Sequence, residues 1–166
     1  LDQLRVSNLR TQLQYAPYRI ETGTLNHAAI AGLNAALAFI ASLGDGRTTR
    51  EKLHGAMKII NGHEQSLLRK LYNEISRIKD VLIIGPALED VQRAPTLAFT
   101  HPNHSPLSIC KMLGDHRISA WDGHFYAIRA MEVLGLMERG GVTRIGLALY
   151  STEEDVNKLI EALQRL

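Results

Sequence analysis

GGVTRIGLALYSTEEDVNKLIEAL, residues 140–163, places a strand, a turn and a helix in direct succession. Arg144 is followed by the apolar run IGLALY, and Thr143–Tyr150 reads as a strand. Ser151 and Glu154 have the spacing of a capping box, in which two backbone donors at a helix start are satisfied reciprocally. The helix that follows carries Val156, Leu159, Ile160 and Leu163 on one face. A strand leading into a one-faced helix argues for a sheet with helices laid upon it.

The same logic extends upstream. Asn26 can cap a helix whose apolar positions Ile30, Leu33, Leu37 and Ile40 recur at helical spacing, with Gly44 as its stop. Thr48 and Glu51 make a capping box for a long helix with the stripe Leu53, Met57, Ile60, Leu67, Leu71, Ile75 and Ile78, running to about Lys79. Asn61-Gly62 weakens its middle and is a place for a bend. Val81–Ile84 and Thr96–Thr100 read as strands. Ser105-Pro106 starts a helix to about Asp115, Ile118–Trp121 is a third strand, and a helix from Tyr126 to Leu134 follows. From residue 48 the order is α-β-β-α-β-α-β-α. The expected fold class is α/β, an α+β two-layer sandwich with a mixed or antiparallel sheet of about four strands packed by helices.

A chain of 166 residues suffices for one ordinary domain. A net charge of +2 with both signs interspersed gives no basic stripe, so nucleic acid is not an expected partner. No apolar run reaches the length of a membrane span. The single cysteine, Cys110, excludes an internal disulfide and suits a reducing cytoplasm. The opening LDQLRVSNLRTQLQYAPYRIETGT is weakly patterned and begins with leucine, which reads as part of a longer protein.

Three stretches carry residue types with chemistry. HPNH (101–104) has a His-x-x-His spacing, but on a turn-forming loop without a third ligand nearby, so no metal site is expected. Cys110, among the apolar residues of LSICKML, reads as a buried, inert thiol. In YRIETGTLNH (18–27), Gly23 lies between two threonines just ahead of a helix start. That geometry suits an oxyanion, because backbone N–H groups, hydroxyls and the helix dipole all favour negative charge. Thr24 and Asn26 as plain helix caps account for the residues equally well. Arg144, after Gly140-Gly141, can grip a carboxylate through two N–H groups or stand as a surface arginine at a strand end. Finally, ISAWDGHFYA (118–127) joins a strand to a helix through Asp-Gly and holds the only tryptophan, Trp121. Such junctions expose side chains and often bear function.

Together these segments resemble the C-terminal part of a fold-type-I pyridoxal-phosphate enzyme of the class V aminotransferase and cysteine desulfurase group. RIETGTLNHAAIAGLNAALAFIASLG (19–44), ISAWDGHFYA and GGVTRIGLALYSTEEDVNKLIEAL carry the resemblance, in the family's order and spacing. It implies that residues 1–47 are a boundary segment and helix of the large domain and 48–166 the small C-terminal domain. It also implies a cytoplasmic homodimer with shared sites and an amino-acid substrate. Thr24, with Gly23, matches the position that touches the pyridoxal 5'-phosphate phosphate of the neighbouring subunit. Arg144 matches the arginine that pairs with the substrate α-carboxylate. Trp121, His124 and Tyr126 fall in the loop beside the substrate side chain.

Two departures qualify the match. Desulfurases of this group carry a sulfur-accepting cysteine in the loop, and here Tyr126 stands in that place; a phenol cannot form a persulfide. Transamination, β-elimination or a related lyase step is the expected alternative. The cofactor-bearing lysine and the pyridine-nitrogen partner lie upstream in this family, and no lysine here sits in a matching motif. No catalytic residue is therefore expected in this chain, which should be inactive alone. The rival reading is a non-catalytic α/β binding or assembly module that retains the fold.

Overall fold

The structure, a computed structural model, describes residues 3–7, 10–21, 23–89 and 93–166. Its elements are α1 (His27–Ser42), α2 (Thr49–Ile75), β1 (Leu82–Ile84), β2 (Thr96–Thr100), α3 (Pro106–Asp115), β3 (Trp121–Gly123), α4 (Ile128–Val133), β4 (Val142–Gly146) and α5 (Glu153–Leu163). The chain divides into two compact units, 1–57 and 58–166.

In the first unit α1 is capped as its sequence predicts: the Asn26 side chain accepts a hydrogen bond from the Ala29 N–H at 3.0 Å. The Thr48 capping box also forms. Thr48 Oγ1 accepts from the Glu51 N–H, and Glu51 Oε2 accepts from the Thr48 and Arg47 N–H groups. Those backbone donors, Thr48 first, hold the Glu51 carboxyl below its ordinary range. Gly44 is required by close approach, since a Cβ there would strike the Lys52 carbonyl and the Ala56 backbone. α1 contains no Asp, Glu, Lys or Arg, and Ile30, Leu33, Leu37 and Phe39 stay exposed along it.

The second unit is built on one sheet, ordered β1-β2-β4-β3 and antiparallel throughout. Alternation along the strands sorts its faces. Leu97, Phe99 and Ile145 face a core completed by Leu67, Leu68, Leu71 and Ile75 of α2, Ile109 and Leu113 of α3, and Val156, Leu159, Ile160 and Leu163 of α5. Each such fully buried side chain contributes about 1.5–3 kcal/mol. The opposite face carries Ala98, Arg144 and Trp121, which stand side by side across β2, β4 and β3. A small second cluster of Met131, Leu136 and Val142, joined by Ile84, Ala98 and Phe125, covers part of it. The expected α/β class with four strands therefore holds, and the sheet is antiparallel rather than mixed.

Several element ends differ from expectation. α2 runs unbroken through Asn61-Gly62 and stops at Ile75, four residues before Lys79, where the tighter bonds Arg77 N–H to Glu74 O and Ile78 N–H to Ile75 O take over. The third strand is Trp121–Gly123, not Ile118–Trp121. Arg117 adopts a left-handed φ of 60° and the Ile118 N–H closes α3 by bonding the Leu113 carbonyl, so the chain joins β4 only at Trp121. β4 ends at Gly146 rather than Tyr150, because Ala148–Ser151 forms a turn in which Ser151 Oγ accepts from the Ala148 N–H. That use of Ser151 moves the capping box by one residue, to Thr152 and Asp155. α4 starts at Ile128, since Phe125 and Tyr126 are left-handed and cannot belong to a helix.

Candidate functional site

β3 and β4 build the site from adjacent strands. Gly141, at φ 86°, lies so close to β3 that a Cβ would collide with the Gly123 carbonyl. This close approach seats Trp121 directly across from Arg144 and aims the loop after Gly123 back over the sheet. Trp121, Asp122, Gly123, His124, Phe125, Tyr126 and Arg144 then line one open cavity of about 630 Å³.

Within it Arg144 is exposed and engages no carboxylate or hydrogen-bond acceptor among the described residues. Its Cζ sits 3.9 Å from the centre of the Phe125 ring. His124 Nδ1 accepts the Tyr126 N–H at 3.1 Å, and the His124 carbonyl accepts from Ala127 at 2.8 Å. The His124 and Tyr126 rings meet edge to face at 6.1 Å, with Tyr126 96% and Trp121 69% exposed. An uncommitted guanidinium rimmed by aromatic surface can bind a carboxylate through paired N–H donors while apolar faces receive the rest of the ligand.

All four residues expected beside a substrate, Trp121, His124, Tyr126 and Arg144, are thus gathered around one cavity. Gly23 and Thr24 belong to the other unit. Gly23 takes φ 83°, Thr24 is exposed with its hydroxyl uncommitted among the described residues, and Asn26 rather than Thr24 caps the helix. A left-handed glycine and an exposed hydroxyl ahead of a helix start offer donors that fit one phosphate group of a cofactor, and no more of it. Cys110 is half-buried rather than fully buried. Burial, and secondarily the charge of Asp122, pushes its thiol up to about 11, which keeps it protonated and poorly nucleophilic at neutral pH. The His101 and His104 rings meet at a 59° tilt with centres 4.8 Å apart, and His101 is buried with Nδ1 accepting from the Asn103 N–H. Among the described residues no group of three or more His, Cys, Asp or Glu could hold a metal ion.

Phe125, like Asp122 on the cavity wall, is a site residue that sequence reasoning passes over. The available signal is its place after Asp-Gly, where a tight turn can reverse an aromatic side chain onto the sheet.

The fold and cavity define a small antiparallel α/β domain with an arginine at its open face. Residues 3–159 match the family model "Aminotransferase class-V", and the chain belongs to that family. It is 31% identical over 151 residues to a cysteine desulfurase of Salmonella agona, covering 91% of this chain and 32% of that protein. A cysteine desulfurase of Yersinia pestis is 32% identical over the same shares. The chain therefore spans about a third of the length of the curated relatives it matches. Among solved structures, the apo cysteine desulfurase of Thermococcus onnurineus aligns with a TM-score of 0.74 at 23% identity, over 91% of this chain and 34% of that one. A cysteine desulfurase of Escherichia coli aligns at 0.70 with 23% identity, over 91% and 33%. These two likenesses establish the fold. Among the described residues no helix is long and apolar enough to cross a membrane.

Proposed function

We propose that the chain is the substrate-gripping small domain, with an adjoining boundary segment, of a pyridoxal-phosphate enzyme that acts on an amino acid as a cytoplasmic homodimer. Residues 48–166 are the small domain, and 1–47 belong with the large one. The observation that carries the reading is Arg144, an uncommitted guanidinium on the open sheet face beside Trp121, His124 and Tyr126. In this reading its N–H pairs hold the substrate α-carboxylate. His124 uses Nδ1 to accept from Tyr126, so in the neutral ring Nε2–H is the donor left for the substrate. Trp121 and Tyr126 flank the substrate side chain, and Gly23 and Thr24 hold the cofactor phosphate. Pyridoxal phosphate, when bound, supplies the electron sink for charge developing at the substrate α-carbon.

Persulfide formation is outside this reading, because Tyr126 occupies the loop position and the Cys110 thiol is held protonated. Transamination, β-elimination or a related lyase step remains, and it requires the cofactor lysine that this chain lacks. The test compares the complete gene product with this 166-residue chain. Both are loaded with pyridoxal phosphate, freed of excess, and scanned for visible absorbance before and after borohydride. A band in the complete product alone, abolished by borohydride, is the expected result. No band in either form would replace this reading with that of a non-catalytic binding module.

A further inference from the structure

We infer that Phe125 is a positioning residue for the carboxylate anchor: its ring fixes the plane of the Arg144 guanidinium so that a carboxylate is met edge-on. The inference rests on Arg144 being that anchor. Across the sheet Arg144 has only Ala98 and Trp121 beside it. Ala98 is too short to hold a guanidinium, and Trp121 is largely exposed. No hydrogen bond or ion pair among the described residues fixes the arginine head. A side chain with that much rotamer freedom would lose it on binding, and the cost would fall on affinity.

Phe125 supplies the missing restraint. Its ring lies 3.9 Å from Arg144 Cζ, while its other contacts anchor it in the cluster of Met131, Leu136 and Val142. The backbone is set for this purpose. Phe125 and Tyr126 both adopt left-handed φ, 51° and 61°, after Gly123 at 125°. Such conformations disfavour non-glycine residues and persist where surrounding contacts over-determine them. The result turns Phe125 toward the sheet and sends Tyr126 out to solvent. A guanidinium laid flat on that ring keeps its N–H donors in its own plane, clear of the ring, where a carboxylate can accept two of them.

The test uses the complete gene product loaded with pyridoxal phosphate, and calorimetric titration with L-alanine. Arg144→Gln should weaken binding by roughly tenfold or more, the scale of a charge-assisted pair. Phe125→Leu should weaken it about two- to fivefold, and Phe125→Tyr should restore it, since a phenol ring stacks as well. A ligand-free readout accompanies these: the nitrogen-15 spectrum of the Arg144 Nε–H, assigned by its loss in Arg144→Gln. Its proton should lie upfield under the Phe125 ring current, stay there in Phe125→Tyr, and move back in Phe125→Leu. If Arg144→Gln binds L-alanine like the wild type, or the wild type does not bind it, the anchor reading falls and this inference with it. If Arg144→Gln is impaired while Phe125→Leu is not, or tyrosine fails to restore binding, only the role of Phe125 falls. Should Phe125→Leu fail to fold, an Arg144 Nε–H at its ordinary position in the wild type overturns the inference by itself.

Discussion

Two loops of the second unit, those after β2 and after β3, deal with the polar groups around them in opposite ways. In the loop after β2, His101 is buried, its ring accepts from the Asn103 N–H, and its carbonyl accepts from Arg139 Nη2 at 3.1 Å. Arg139 also reaches the Pro102 carbonyl at 3.0 Å. The polar capacity there is spent inside the fold. Around the loop after β3, Tyr126 and the β3 residue Trp121 stand out in solvent, and Arg144 of β4 has only an aromatic face for company. Residue types alone do not separate these loops, since each holds a histidine and has an arginine of another segment beside it. What separates them is unspent valence: a group already satisfied by its own fold stabilises, and an unsatisfied one is available to a ligand.

The comparison can be broken at its hinge. Gly141 lets β4 approach β3, so Gly141→Ala places a methyl against the Gly123 carbonyl at a left-handed φ. A loss of roughly 2–4 kcal/mol in stability is expected, read from the urea midpoint. If the loss is below 1 kcal/mol, the strand contact does not hold the loop. Cys110 gives the next largest effect and asks whether a hidden nucleophile lies beneath either loop. A thiol raised from 9.0 to about 11 has about a hundredfold less thiolate near neutrality, so iodoacetamide should label it about a hundredfold more slowly than the unfolded chain. The sign for stability follows from the same shift. The fold favours the neutral thiol, so its contribution is present below pH 9 and is lost as pH rises through about 11. Labelling at the unfolded rate would reopen Cys110 as a reactive group.

What could be read from the residues was what neighbouring residues settle among themselves. The Asn26 cap and the Thr48–Glu51 box are interactions over three positions, and both formed as expected. The apolar faces read for α2 and α5 likewise supplied Leu67, Leu71, Ile75, Val156, Leu159, Ile160 and Leu163 of the core. The third strand slipped because Arg117 turns left-handed to end α3, a conformation its residue type does not advertise. The last capping box slipped because Ser151–Glu154 and Thr152–Asp155 overlap with equal spacing, and only the turn at Ala148 decides between them. At the site, Trp121, His124, Tyr126 and Arg144 were legible as a group. Phe125 was not, because its contact with Arg144 depends on two consecutive left-handed aromatic residues, which local propensity argues against.

The two arginines sharpen the contrast most directly, since each stands for its loop. Arg144→Ala removes an exposed, uncommitted group, so stability should change by less than about 0.5 kcal/mol. In the complete gene product it should weaken amino-acid binding by about 1.5–3 kcal/mol, measured by calorimetry. Arg139→Ala removes a side chain that donates to two carbonyls. Because that arginine is exposed, its loss should cost only about 1 kcal/mol of stability, and amino-acid binding should stay at the wild-type value. A double dissociation of this kind would assign ligand work to the loop after β3 and structural work to the loop after β2. If Arg139→Ala weakened binding while leaving stability intact, the histidine loop would belong to the site, and satisfied valence would no longer separate the two.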